Sequence, residues 1–317
     1  MNNILIIGLG NIGSRHLEGI LKIREKINIF ILDVKDKKIE LTKQKSNKFF
    51  FYYYDINALK NIKFNIVIIA TDSKPRFFLL NKILKKNTIR NIIFEKVVFQ
   101  SSSQFKSALK IIKKKNINAW VNCTRRCMKF FKYLKKLFQN EHSIHIKFIS
   151  SKWEMGSNLI HYIDLFDYLI KKKTNYIFDN NHLQKKFFIS KRGNYHEFFG
   201  KIKILNNNNS LVTQNNIKNT KPNLTIKSKN IKISIDLSKN KKNVQIKRKN
   251  HKIRYINFEH ELVSNITKQN IKKILQNQLI DLASLRESWQ HHKILFKIFN
   301  NHLEKIKRKK YKYCPIS

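Results

Sequence analysis

The sequence has few of the residues on which disulfide-rich and metal-binding proteins depend. Its 317 residues include only 3 cysteines, 7 glycines and 3 prolines. Cys123, Cys127 and Cys314 have neither the number of a disulfide framework nor the spacing of a zinc site. His291 and His292 are adjacent, so on a helix they point to different faces and make a poor metal pair. We therefore expect no metal site.

Long apolar runs are also missing. No run approaches the roughly 20 residues that a membrane-spanning helix requires. The first residues lead directly into an apolar segment, without the charged stretch and cleavage site of a signal peptide. These features predict a soluble, cytoplasmic protein with no membrane partner.

Acidic residues are scarce beside basic ones. Asp and Glu total 20, Lys and Arg total 66, and the formal net charge is +46. A balance of this kind is typical of nucleic-acid-binding proteins. However, the lysines are spread along the whole chain, and Lys, Asn, Ile and Phe are all encoded by AT-only codons. We expect a solvated surface that attracts polyanions in a salt-dependent way, without a specific nucleic-acid partner. A nucleic-acid binder built on this surface is the alternative.

Three of the few glycines lie together near the N-terminus. The apolar run 4–7 is followed by Gly8, Gly10 and Gly13, and then by a segment whose apolar residues have helical spacing. Gly8 permits a tight turn, Gly10 lets the backbone approach a pyrophosphate, and Gly13 lets the helix pack close to the strand. The N–H groups at the helix start would hold the phosphates. The predicted contacts in this turn are Gly8, Gly10, Asn11, Ile12 and Gly13.

Asp33 ends the second apolar run, 27–32, twenty residues after Gly13. A carboxylate at this position accepts hydrogen bonds from the ribose of an adenosine and repels a 2′-phosphate. The sequence therefore predicts a dinucleotide site that prefers NAD. The lysines at 35, 37 and 38 could soften that repulsion, which leaves NADP open.

Strands and helices alternate after Asp33. We expect a Lys-rich helix from about Lys35 to Lys45, a strand over the aromatic run 49–54 and an all-apolar strand over 66–70. The aromatic run suits a buried strand or a base-stacking platform, and the alternation favours the buried strand. Thr71 begins the loop after the all-apolar strand, where open α/β sheets bind ligands, and is a predicted cofactor contact.

Glu95 and Lys96 directly follow the next strand, 91–94. Together with the glycine turn and the Ala70-Thr71 loop, they resemble the glucose-fructose oxidoreductase / inositol dehydrogenase / MocA (Gfo/Idh/MocA) family. The resemblance implies an α/β protein: an N-terminal Rossmann domain with a doubly wound parallel sheet, and a C-terminal α/β domain with a mostly antiparallel sheet. We place the domains at 1–123 and 124–317.

The same resemblance implies a cofactor contact at Glu95 and a catalytic and cofactor-contacting role for Lys96. The family's typical motif here is Glu-Lys-Pro, whereas this chain has Val97 in place of the proline. In the family the lysine lies near the nicotinamide and the substrate hydroxyl. A lysine beside a cationic nicotinamide has a lowered pKa, which suits a proton shuttle at neutral pH. The alternative is a solvated lysine.

The last predicted Rossmann strand, 118–122, is followed by a pair of arginines. The family often carries an asparagine and an arginine at this junction, so the resemblance makes Asn122 and either Arg125 or Arg126 predicted substrate contacts. A guanidinium suits a carboxylate or phosphate on the substrate. A purely structural role is the alternative.

A helix over 154–169 carries a polar stripe. At 100° per residue, Ser157, His161, Asp164 and Tyr168 fall within about 60° of one another. The helix resembles the family's Asp-x-x-x-His helix, whose histidine assists proton removal from the substrate, which makes His161 the second predicted catalytic residue. Ser157 replaces the aspartate, and Asp164 could support the imidazole instead. A lone core histidine is the alternative.

The wider pattern of this helix, Asn-x-Ile-His-x-Ile-Asp, resembles a family branch associated with surface-carbohydrate synthesis. On that basis Asn158 and Asp164 are predicted substrate contacts. Short alternating runs between 175 and 257 predict the antiparallel sheet, through which we expect a homo-oligomer. The segment from 259 to 309 is expected to be helical and to pack back toward the Rossmann domain.

These features together predict an NAD(P)-dependent oxidoreductase. We expect a hydride to pass between the nicotinamide and a hydroxyl or keto carbon of a sugar or sugar derivative, while Lys96 and His161 handle the hydroxyl proton. The alternative is a non-catalytic dinucleotide-binding protein whose site is eroded at Val97 and Ser157.

The acid at Asp33 leads to a first testable expectation. NADH should bind more tightly than NADPH, because the carboxylate repels the 2′-phosphate. A fluorescence titration with both nucleotides at physiological salt measures the two affinities. A preference for NADPH would refute the role assigned to Asp33.

Overall fold

The computed structural model describes residues 1–34, 48–151, 153–170, 176–190, 193–238 and 241–317. The chain divides into two compact units. The first comprises Met1–Thr124 and Glu261–Trp289, and the second Arg125–His260 and Gln290–Ser317. The Lys-rich helix expected from Lys35 to Lys45 lies outside the described residues.

The strands of the first unit are β1 (Asn2–Ile7), β2 (Ile27–Leu32), β3 (Lys48–Tyr53), β4 (Lys63–Ile69), β5 (Thr88–Phe94), β6 (Asn118–Val121) and β16 (Ala283–Ser284). Those of the second are β7 (His145–Ile149), β8 (Ile177–Asp179), β9 (Leu183–Ile189), β10 (His196–Asn206), β11 (Asn209–Gln214), β12 (Asn223–Lys227), β13 (Ile231–Asp236), β14 (Lys241–Arg248) and β15 (Arg254–Glu259). The helices are α1 (Asn11–Leu21), α2 (Ser73–Lys86), α3 (Ser102–Lys114), α4 (Lys129–Leu137), α5 (Met155–Leu169), α6 (Val263–Leu275) and α7 (Leu285–Lys307).

The first sheet has the order β16-β6-β5-β4-β1-β2-β3. Its first six strands in the chain are parallel, and β16 pairs antiparallel with β6. The inner parts of the two central strands, Ile4–Ile7 and Ile66–Ile69, are almost completely buried because helices cover both faces. The predicted doubly wound parallel sheet is confirmed. Its strand order reverses between β1 and β4, where such sheets bind ligands.

The aromatic run forms the edge strand β3. Phe49 is 57% and Tyr54 is 58% exposed, so the prediction of a strand is confirmed and the expectation that it is buried is wrong. Because β3 is last in the sheet order, the described strands pair with it on one side only. Phe51 stacks on Phe30 of β2, with ring centroids 4.7 Å apart.

The C-terminal segment adds both helix and strand to the first unit. Helix α6 packs on α1, where a Cβ at Gly19 would lie 2.4 Å from the carbonyl oxygen of Ser264. The helical prediction for 259–309 is confirmed over α6 and α7 and is wrong at β16, whose two residues extend the parallel sheet.

The second sheet has the order β15-β14-β13-β12-β7-β11-β10-β8, with β9 paired to β10. Strands β7 and β11 are parallel, and the other pairs are antiparallel. Helix α5 covers the inner face, where the rings of Tyr162 and Phe148 stack with centroids 4.3 Å apart. The predicted mostly antiparallel sheet is confirmed. Within the described residues, no helix is both long and apolar enough to cross a bilayer.

Gly13→Ala and Gly10→Ala form a matched pair that separates packing from ligand access. A Cβ at Gly13 would lie 1.9 Å from the backbone oxygen of Gly8, whereas one at Gly10 meets no atom within 4 Å. We expect Gly13→Ala to destabilise the protein by roughly 1–3 kcal/mol, because the clash outweighs the gain in helix propensity.

Gly10→Ala should change the unfolding free energy by less than about 1 kcal/mol. It should nevertheless weaken NADH binding by at least about tenfold, because the methyl group occupies the surface that a pyrophosphate approaches. Urea unfolding and NADH titration measure both effects. Equal stability of the two variants, or unchanged NADH affinity of Gly10→Ala, would contradict the assignment.

Candidate active site

The glycine turn connects the end of β1 to the start of α1. Gly8 has a φ of +88°, and its N–H donates to the carbonyl of Leu32 at 2.8 Å. A Cβ at Gly8 would lie 2.9 Å from the backbone nitrogen of Thr71, so the loop after β4 closely approaches the turn. Gly10 is the N-cap of α1, and the first helical residues, Asn11 and Ile12, are exposed. The helix N-terminus is therefore accessible to an anion.

Asp33 lies at the carboxyl end of β2, beside the glycine turn. Its Oδ2 accepts a hydrogen bond from the N–H of Leu9, which lies between Gly8 and Gly10. The side chain of Leu9 is buried and that of Asp33 is partly exposed. The turn itself thus orients the carboxylate that the sequence predicted for the ribose.

Arg76, on α2, connects the loops that follow β4 and β5. Its side chain is 1% exposed. The guanidinium donates to the carbonyl of Thr71 after β4, and to the carbonyls of Glu95, Val97 and Val98 after β5, at 2.6, 2.5 and 3.1 Å. Several backbone acceptors in two loops are therefore satisfied by one side chain.

Lys96 lies within the segment that Arg76 holds. Val97, Val98 and Phe99 are completely buried, whereas Lys96 is partly exposed. The Lys96–Val97 peptide bond is cis. The segment thus places one partly exposed cation at the carboxyl end of β5, among residues whose side chains are buried.

Glu95 is directed into the first unit. Its Oε1 lies 3.0 Å from Nε2 of His16 on α1 and accepts a hydrogen bond from Nδ2 of Asn122 at 2.5 Å. His16 Nδ1 lies 2.8 Å from Oγ1 of Thr267 on α6. Burial raises the pKa of Glu95, but the hydrogen bonds from His16 and Asn122 and the charge of Lys96 outweigh it and lower the pKa below its usual value.

Ser157 and Glu197 pair in the second unit. Both side chains are 1% exposed. The N–H of Ser157 donates to both carboxylate oxygens of Glu197, at 3.1 and 3.2 Å, and its hydroxyl donates to Oε1. Because Ser157 lies in the first turn of α5, Glu197 supplies a carboxylate to that helix N-terminus, where negative charge is stabilising.

Asp164 belongs to a buried charged cluster on the same helix. It is completely buried and forms an ion pair with Arg126, with Nη2 to Oδ1 at 2.7 Å and Nε to Oδ2 at 3.0 Å. His291 lies with Nδ1 3.6 Å from Asp164 Oδ1 and Nε2 3.1 Å from Asp167 Oδ2. Tyr176 donates to Asp167. These contacts join α5 to α7 and to the segment that follows β6.

The other predicted residues of α5 reach its more accessible side. His161 is partly exposed. Arg125 is half-buried, with its guanidinium 4.4 Å from the ring centroid of Tyr162. Burial raises the pKa of Tyr162 to about 12, so this phenol stays protonated at neutral pH. Asn158 donates from Nδ2 to the carbonyl of Glu154 at 3.0 Å.

The predicted site residues thus fall into two sets. The carboxyl ends of the parallel strands in the first unit bring together the glycine turn, Asp33, Thr71, Glu95, Lys96 and Asn122. Arg125, Arg126, Asn158, His161 and Asp164 lie in the second unit. Sequence reasoning assigned no role to Arg76, His16 or Glu197. A polar residue within an apolar pattern is the only signal that could have marked them.

The pH dependence of stability tests the state of Glu95. Its folded pKa is lowered, so ionised Glu95 contributes stability above its usual pKa of 4.5 and loses the contribution as the pH falls through the folded value. Glu95→Gln should cost roughly 1–3 kcal/mol at pH 7. The difference from wild type should shrink below pH 4.5 in urea unfolding. Glu18→Gln on the same unit, a control at a partly exposed ion pair, should cost less than about 1 kcal/mol. A difference for Glu95→Gln that grows on acidification would contradict the assignment.

Residues 2–123 match the model of the GFO_IDH_MocA family, described as an oxidoreductase family with an NAD-binding Rossmann fold. No curated protein matches the sequence. Several solved structures share the fold across nearly the whole chain. One is a Gfo/Idh/MocA family oxidoreductase from Vibrio cholerae, with a TM-score of 0.70 and 13% identity, covering 97% of this chain and 100% of that one.

Two other solved structures with this fold are proteins with a named reaction or a bound ligand. UDP-N-acetylglucosamine 3-dehydrogenase GnnA from Acidithiobacillus ferrooxidans has a TM-score of 0.69 and 9% identity, covering 94% of this chain and 96% of that one. An oxidoreductase from Agrobacterium radiobacter, in complex with NAD+, L-tartaric acid and magnesium, has a TM-score of 0.68 and 13% identity, covering 93% and 94%. Residues 2–123 thus match the model of the Gfo/Idh/MocA oxidoreductase family, and solved structures with the same fold also cover the second unit.

Proposed function

We propose that the protein is an NAD-dependent dehydrogenase or reductase acting on a hydroxyl or keto carbon of a sugar derivative. The observation that carries the proposal is the hydrogen bond from Leu9 N–H to Asp33 Oδ2. It fixes a carboxylate beside the glycine turn, at the position that binds an adenosine ribose in Rossmann domains.

The residues of the turn fit a dinucleotide. A Cβ at Gly10 would project into open space, and the first turn of α1 carries no acidic residue to compete with a phosphate. Asn11 and Ile12 begin the helix at an accessible N-terminus. When bound, the nicotinamide supplies the carbon that exchanges a hydride with the substrate.

Lys96 is the proposed proton carrier of the first unit. As the carbinol carbon loses its hydride, the hydroxyl proton passes to a basic group, and the reverse reaction returns it. Arg76 holds the carbonyls of Glu95, Val97 and Val98 around Lys96, which limits the movement of its backbone. We assign His161 the assisting role from the family resemblance. Its helix is anchored through Asp164 and Ser157.

A sugar derivative is the proposed substrate class. This proposal is supported by GnnA, a solved structure with this fold that is a UDP-N-acetylglucosamine 3-dehydrogenase. The half-buried Arg125 and Asn158 are the proposed substrate contacts of the second unit. A role in surface-carbohydrate biosynthesis is part of the same proposal, from the Asn-x-Ile-His-x-Ile-Asp pattern.

A non-catalytic dinucleotide-binding protein is the second candidate function. Val97 replaces the proline of the family motif, and Ser157, in place of the aspartate, donates to the buried Glu197. Saturable NADH binding without turnover across a broad panel of free and nucleotide-linked sugars would favour this candidate.

Lys96→Ala separates cofactor binding from catalysis. We expect its NADH affinity to stay within about twofold of wild type, while turnover falls by about 100-fold or more because a positioned proton carrier is lost. Lys96→Arg should also be slow, since a guanidinium does not release its proton. Turnover is measured with NAD+ on whichever sugar the panel identifies.

Lys110→Ala, at an exposed position of α3, is the matched control and should retain wild-type turnover. Wild-type turnover in Lys96→Ala would remove Lys96 from the mechanism. Loss of NADH binding in that variant would show that the lysine supports the cofactor site instead.

A further inference from the structure

A basic recess lies on the outer face of the second sheet, opposite the face that α5 covers. Its volume is about 420 Å³. The polar side chains that line it are His145, Lys147, Ser210, Thr225, Lys227 and Lys232. They come from four strands, β7, β11, β12 and β13, and the lining contains no acidic residue.

The strand register places like charges directly opposite one another. Lys227 of β12 pairs with Lys232 of β13 on one side and with His145 of β7 on the other. Lys232 also pairs with Lys247 of β14. Like charges at directly opposed positions destabilise a sheet. The row of lysines Lys227, Lys232 and Lys247 therefore has an electrostatic cost that an anion would reduce.

The surrounding residues do not offset that cost. In the part of the chain that the structure describes, Lys147, Lys227 and Lys232 form no salt bridge with a carboxylate. Burial lowers the pKa of His145, and the charges of Lys227 and Lys203 lower it further. The recess is thus a region of positive potential.

We propose that this recess binds a small, multiply charged phosphoryl anion. The ammonium groups of Lys147, Lys227 and Lys232 neutralise the charge, and the Ser210 hydroxyl adds a hydrogen-bonding group. The Thr225 hydroxyl lines the recess but donates to Oδ1 of Asn223 at 3.1 Å. His145 Nδ1 lies 2.8 Å from Ser210 Oγ, which connects the imidazole to the same donor set. This anion would be a ligand in addition to those of the proposed reaction.

The pattern of charges around the recess favours a small anion over a polymer or a second copy of this chain. Along the outer face of β13, Lys232 is followed at alternate positions by Ser234 and Asp236, so the basic surface ends at a carboxylate. From the sequence we expect a homo-oligomer that forms through this sheet. A two-fold axis through this recess would place the row of lysines of one copy against the same row of the other copy.

Lys227→Gln/Lys232→Gln tests the proposal with inorganic pyrophosphate as the probe. The matched control, Lys106→Gln/Lys110→Gln on exposed positions of α3, has the same change in net charge. Calorimetric titration and thermal unfolding are carried out at constant ionic strength on all three proteins. We expect saturable binding by wild type and control, and about tenfold weaker binding by the recess variant, because two of its cations are lost.

Two further readouts distinguish a site from general charge. Without pyrophosphate, the recess variant should be at least as stable as wild type, since a like-charged pair has been removed. NADH affinity should be unchanged in all three proteins. Equal pyrophosphate affinity of the two double variants, or no saturable binding by wild type, would overturn the proposal.

Two other occupants of the face give opposing results. Sedimentation could show that wild type self-associates, that the recess variant does not, and that pyrophosphate has no effect on the association. That result would assign the face to a second copy of this chain. Vesicles containing phosphatidylglycerol could bind wild type and control but not the recess variant, without competition from pyrophosphate. That result would assign the face to a lipid surface. Either result would overturn a site for a small soluble anion.

Discussion

The buried guanidinium of Arg76 is the constraint on which the first unit's candidate site depends. The segment after β5 runs through the interior as irregular backbone, with Val97, Val98 and Phe99 completely buried. Carbonyls in such a segment have no strand partner and are costly without donors. Arg76 donates to those of Glu95, Val97 and Val98, and also to Thr71 in the neighbouring loop. The loop that contacts the glycine turn and the loop that carries Lys96 are thereby held by one side chain.

Glu95, at the start of the segment after β5, also holds that segment in place. Its carbonyl binds Arg76, and its carboxylate binds His16 and Asn122. A buried carboxylate is tolerated only when hydrogen bonds replace its hydration. His16 and Asn122 supply them, and together with the charge of Lys96 they lower the pKa of Glu95 despite its burial. Through His16 and Thr267 the same contacts reach α6, so the C-terminal part of the chain supports the residue next to Lys96. Lys96 is the partly exposed residue of this segment, whereas Val97, Val98 and Phe99, which follow it, are completely buried.

Local patterns account for what the sequence could predict. Continuous apolar runs and the spacing of Gly8, Gly10 and Gly13 predicted the parallel sheet and its turn, since each depends on residues adjacent in the chain. The contacts of Arg76, His16 and Glu197 join residues that are far apart in the chain. The local sequence at these positions does not identify the residue that each one contacts. The sequence also did not predict the solvent exposure of the aromatic strand. The composition of 49–54 predicts a strand, but whether it lies at the centre or the edge depends on the sheet order.

The second unit shows why net charge alone is a poor guide to function. Compositional bias accounts for a chain with 66 basic residues, and most of them can be solvated without consequence. On a helix such as α3, Lys106 and Lys110 extend into solvent from successive turns. In the sheet, Lys227 has Lys232 on one side and His145 on the other, at neighbouring-strand spacing of about 4.8 Å. The pairing register of these strands, which composition does not determine, brings several lysines together on one face of the sheet. Binding of an anion would offset the local cost in stability of these like-charged pairs.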